Sequence, residues 1–200
     1  MLRQFFIAGC LVGAGMAQAE TVGFSLAITP AGNGNPAVSF TNISDVAQIV
    51  GGSLTLGDTA SNFDCVENVV APAGGSLSFS TPEVDVCFPG GGDRPDTILF
   101  TAAGFDPGET GGFTSDIDPD FTDALANFEE SLIPGGSFTA TFSGGFIDGP
   151  LSVALDQPDG EGYSYTAAAE SAPSEVPLPA TGVLVVAGLG TLAAFRRHRR

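Results

Sequence analysis

The chain is 200 residues long with a formal net charge of −17: 23 acids face six arginines, there is no lysine, and glycine occurs 28 times. All 23 acids fall between Glu20 and Glu175, where Arg94 is the one base, so that stretch alone carries −22. Such a surface repels nucleic acid and anionic lipid, which excludes nucleic-acid partners, and the missing lysine excludes Schiff-base catalysis and lysine isopeptide crosslinks.

The chain opens with Arg3, an apolar run over residues 5–16 and the small-x-small triplet Ala17-Gln18-Ala19. This order reads as a secretory signal peptide over residues 1–19, cut after Ala19, with Ala17 and Ala19 as the small residues flanking the site. The translocon and signal peptidase are then partners, and the mature chain begins at Glu20. Ile7-Ala8-Gly9-Cys10 also has the form of a lipoprotein signal, in which Cys10 would carry the lipid.

From there the hydrophobic period is two. Residues 21–29 alternate, with Val22, Phe24, Leu26 and Ile28 on one side, and residues 36–43 put Val38 and Phe40 inward. A third strand is expected over 46–56, with a bulge or bend at Gly51-Gly52. Further strands follow at 63–70, 75–81 and 84–88. Residues 97–103 carry Ile98 and Phe100 on one side and Leu99 on the other, which suggests cover on both faces. Cys65 and Cys87 are the cysteines remaining after signal cleavage, and in an oxidising compartment they are expected to pair. The loop they close, of about 22 residues, is worth roughly 3 kcal/mol on the chain-entropy account.

The most acidic segment follows, with Asp116, Asp118, Asp120 and Asp123. The D-x-D-x-D spacing suits oxygen ligands for calcium, as in the first half of an EF-hand loop, but Phe121 stands where that loop needs glycine and Asn127 where it needs glutamate. The competing reading starts a helix here, with Asp118 as N-cap, Pro119 in the first position and Asp120 and Asp123 against the helix dipole. Phe121, Leu125 and Phe128 would form its apolar face, and Pro134-Gly135 its end. Alternation resumes at 137–143, 151–155 and 163–168, and residues 169–175 read as a flexible spacer.

Residues 176–200 run Val176-Pro177-Leu178-Pro179-Ala180, an uncharged apolar stretch over 183–195, then Arg196, Arg197, His198, Arg199 and Arg200. Arginines beside an apolar segment hold it on the cytoplasmic side, which leaves the rest of the chain outside. Counted from Leu178 the span is about 18 residues, near the lower limit for a membrane helix. This motif, helix and arginine cluster resemble the PEP-CTERM class of bacterial sorting signals in its VPLPA variant. The resemblance is limited to the tail. It implies cutting near the motif by an exosortase, a membrane transpeptidase, after a transient inner-membrane stage. Physically, two prolines keep the motif extended and short of backbone donors, a form a protease cleft accepts.

These readings combine into a mainly β protein: an antiparallel β-sandwich, Ig-like or jelly-roll-like, over 20–168 with one short helix, followed by the spacer and the membrane-spanning sorting tail. Phosphate loops, Cys/His metal clusters and a serine beside a usable base are missing from the sequence. The expected function is a structural or adhesive component of the cell surface or of the extracellular polysaccharide matrix, with no catalytic residue. The alternatives are a calcium-dependent binding module and a hydrolase using two carboxylates on exopolysaccharide.

Overall fold

The computed structural model describes residues 18–31, 35–81, 94–120, 128–156 and 163–173. Residues 1–17 of the expected signal peptide, the strand expected at 84–88 with Cys87, Asp123, and the sorting motif with its helix and arginines lie outside those residues. Among the described residues no helix is long and apolar enough to cross a membrane.

Ten strands and one helical turn follow in chain order: β1 (Thr21–Pro30), β2 (Pro36–Asn42), β3 (Gln48–Thr55), β4 (Ser61–Val70), β5 (Ser76–Thr81), β6 (Thr97–Ala103), β7 (Thr110–Pro119), α1 (Phe128–Ser131), β8 (Gly136–Ser143), β9 (Gly149–Leu155) and β10 (Tyr163–Glu170). They form two five-stranded antiparallel sheets, a first in the order β10-β1-β2-β7-β4 and a second in the order β5-β6-β3-β8-β9. The two-residue period predicted this architecture, because each alternating strand offers one apolar face to a partner sheet. Val22, Phe24, Leu26 and Ile28 are all buried, as are Val38 and Phe40 opposite them.

Phenylalanine rings bridge the two sheets through the core. The Phe40 ring, from the first sheet, lies 5.2 Å from those of Phe100 and Phe138 of the second, and Phe24 meets Phe138 edge-on at 5.2 Å. The bulge expected in β3 falls between Ile49 and Gly51. Gly52 owes its identity to these rings and to the neighbouring strand: a Cβ there would lie 2.6 Å from the Phe100 ring and 2.1 Å from the Thr139 carbonyl oxygen.

Three expectations change. Asp118 and Pro119 do not open a helix; they end β7, whose inward residues Phe113, Ser115 and Ile117 are buried at period two. The described helix is the single turn α1. Leu99 is 46% exposed, so the outer face of β6 is open. Finally, β10 runs on through Ala169 and Glu170, which pair with Val22 and Thr21, and Ser171 N–H donates to the Glu20 carbonyl at 2.8 Å. The ladder captures residues that the composition assigns to the spacer, and the compact unit is Glu20–Ser171. Its first and last residues therefore meet at one end of the sandwich.

Candidate functional site

The carboxylates of β4 and β7 meet at the edge of the first sheet, toward the end of the sandwich opposite Glu20. Asn62 pairs with Asp118, Phe63 with Ile117 and Cys65 with Asp116. Since Phe63 and Ile117 point into the core, Asn62 and Asp118 project on the outer face, as does Asp116, two residues along the strand. A register shift between Phe63 and Cys65 adds Asp64 as an extra residue in β4. The bulge sets the Asp64 and Asp116 carboxylates and the Cys65 sulfur within 4.8 Å of one another.

Asp64 is only 3% exposed. A lone carboxylate at that depth is costly unless paired, and its partner is Arg94, the one base between Glu20 and Glu175. The guanidinium forms a salt bridge with Asp64 Oδ1 and donates to the Asp64 backbone carbonyl at 3.1 Å. Asn62, fully buried, donates through Nδ2 to Asp120 Oδ1 at 3.0 Å. Beside it the Ser61 and Ser131 hydroxyls bond at 3.0 Å, which ties the start of β4 to α1. Asp116 Oδ1 is buried with no hydrogen-bond partner among the described residues.

The sequence brings Asp116, Asp118 and Asp120 into one region, and the fold spreads them. Asp116 and Asp118 sit on alternate strand positions, about 7 Å apart along the backbone, while Asp120 is turned to Asn62. Asp118 has a bonding partner as well. Calcium requires six to eight oxygens at about 2.3–2.6 Å, and here Arg94 and Asn62 already engage two of the carboxylates, so these residues fit the ion poorly. Cys65 is fully buried, and in the bridge expected of it the sulfur would be no thiolate ligand. Asp123 and Cys87 lie outside the described residues.

Asp64, Asn62 and Arg94 were not singled out as site residues by sequence. The signal that finds Arg94 is its isolation, since one base among 23 acids has a specific partner to neutralise. Elsewhere, the Tyr163 phenol is raised above its ordinary 10.0 by a hydrogen bond to Glu129 and, less, by burial, and Tyr165 is raised chiefly by burial. No family model, no curated protein and no solved structure matches the chain.

Proposed function

We propose that the chain is an exported, non-catalytic structural or adhesive protein of the cell surface or polysaccharide matrix, carried there by a C-terminal sorting tail of the VPLPA type. The observation that carries the reading is the meeting of Glu20 and Ser171. The domain starts and finishes at one end, and its last residue directly precedes the stretch that leads to Val176. The five strands of the second sheet contain no charged residue, and their outward positions are largely serine and threonine, such as Thr101, Ser53, Thr139 and Ser152. The acids are carried elsewhere in the chain, where they keep it soluble.

Of the carboxylate pair nearest to a hydrolase arrangement, Asp64 and Asp116, the first is buried and engaged by Arg94, which supports a structural joint over an acid and a nucleophile. The same internal neutralisation supports the structural reading over calcium dependence. Cys65 and Cys87 form the expected bridge in this proposal, stapling β4 to the segment before Arg94.

The deciding experiment is intact mass analysis of the mature protein from native cells. A species beginning at Glu20 and ending near Pro179 or Ala180, without residues 183–200, is expected. A mature chain that still carries Arg197 and Arg199 makes this a permanent single-pass membrane protein instead. Incubation with matrix polysaccharide tests the other half, since catalytic release of reducing ends overturns the non-catalytic reading.

A further inference from the structure

We infer that the outer face of the first sheet holds a binding groove for the sugar units of an uncharged glycan. The inference deepens the matrix-associated reading and rests on it for where such a glycan is met. A cavity of about 340 Å³ lies across β1, β2 and β7 and against the end of β4. That volume is within the range of small-molecule sites.

The register explains the hollow. One row across the sheet runs Ala27, Ser39, Gly112 and Val70, and the next runs Thr29, Ala37 and Thr114. The floor is low because its residues are small, and at Gly112 it cannot be raised: a Cβ there would lie 2.5 Å from the Val38 carbonyl oxygen. The wall is a distortion of the edge strand. A register shift between Glu67 and Val70 puts Asn68 in the left-handed region at φ 49°, and Val70 stands 59% exposed beside it. Asparagine tolerates that backbone better than most residues. Its Nδ2 donates to Thr114 Oγ1 at 2.9 Å, which fixes the amide at the rim.

The ligand class follows from the chemistry of the lining. None of the lining residues is charged; the nearest carboxylate by register, Glu67, pairs with Thr114 and does not line the groove. A cation gains no direct ion pair, because no carboxylate lines the groove, and an anion meets the field of a chain carrying −22 with no base beside the groove. A bare acyl chain would cover the Ser39, Thr29 and Thr114 hydroxyls without pairing them. An extended peptide seeks an unpaired strand edge, whereas the floor strands are already laddered on both sides. What remains is a neutral ligand with an apolar face for the alanine and glycine floor and hydroxyls for the rim. A pyranose ring has both.

Saturation-transfer NMR on the exported protein tests this, with neutral β-1,4- and α-1,4-linked gluco-oligosaccharides as probes and an oligogalacturonate as the anionic control. Transfer from the protein to the sugar C–H protons of a neutral probe is expected, unchanged by EDTA. Ser39→Phe, at an exposed position, fills the floor. Asn68→Gly keeps the left-handed backbone and removes the amide. Each is expected to weaken binding by about tenfold or more at an unchanged melting temperature. Absence of transfer to every neutral probe overturns the inference. So does equal or tighter binding of the oligogalacturonate, or binding that survives both substitutions. Any of these leaves the mass of the mature C-terminus, and so the sorting reading, untouched.

Discussion

Replacing Arg94 with alanine is the perturbation that most directly probes the joint between β4 and β7. The substitution strands Asp64, 3% exposed, without its counter-charge, and removes the donor to its backbone carbonyl. Breaking one side of a buried pair costs about 3–5 kcal/mol, far above the roughly 0–1 kcal/mol of a surface bridge. At about 2–4 °C per kcal/mol for a domain of this size, the melting temperature falls on the order of 10 °C. Urea unfolding under non-reducing conditions measures it, with the slope unchanged so that the midpoint reports stability alone. Two companions sharpen the result. Replacing the pair together, Arg94→Met with Asp64→Leu, is expected to recover most of the loss, because a packed apolar pair removes both charges. Millimolar calcium is expected to stabilise Arg94→Ala more than the parent, since the variant lacks the cation now seated against Asp64. A loss below about 1 kcal/mol, or a double variant as unstable as the single one, refutes the reasoning.

Three other outcomes follow from the same structure. Non-reducing mass analysis of the exported domain is expected to find no alkylatable thiol, and one free thiol per chain removes the intrachain bridge between Cys65 and Cys87. Pro177→Ala with Pro179→Ala lets the motif join a helix and withdraw its peptide bonds, so full-length protein is expected to accumulate in the inner membrane; normal processing counts against the extended-motif argument. In a spectrophotometric titration both phenols are expected to ionise above pH 10.0, with Glu129→Gln returning Tyr163 toward that value. Because a raised pKa means the folded state holds the proton more tightly, the phenols' stabilising contribution is complete below pH 10 and is lost as pH climbs through the folded values. Titration of Tyr163 at or below pH 10 in the parent contradicts the contact.

Strands such as β1, β6 and β8 were legible because one face is buried and the other wet, and a period of two records that difference in the residues themselves. β7 was not read as a strand. Its inward residues Phe113, Ser115 and Ile117 carry the same period, but Asp116, Asp118 and Pro119 between and beyond them are also what a helix start requires. Local chemistry alone does not separate the two, and the decision is made by the neighbour, since β4 ladders against this segment and pairs Asn62 with Asp118 and Cys65 with Asp116. That neighbour is set by strand order, which is not written in any one segment. The same limit hid the bulges in β4: Asp64 and Asn68 differ from ordinary strand residues only in how they oppose β7. Hydrophobic pattern thus predicted the layers, while the acidic cluster and the groove arise from pairing between distant strands.

The pairing of Thr21 with Glu170 through Ile28 with Tyr163 has a mechanical consequence for a domain tethered beyond Ser171. On the proposed tether, a load applied beyond Ser171 and resisted by the rest of the sandwich would act along β10, and the hydrogen bonds to β1 lie perpendicular to that strand. The rungs of the ladder then share the force together instead of opening one after another. Such a joint yields only when the whole strand slides past its neighbour, so its lifetime under flow is governed by the unfolding rate and not by the equilibrium stability of the sandwich.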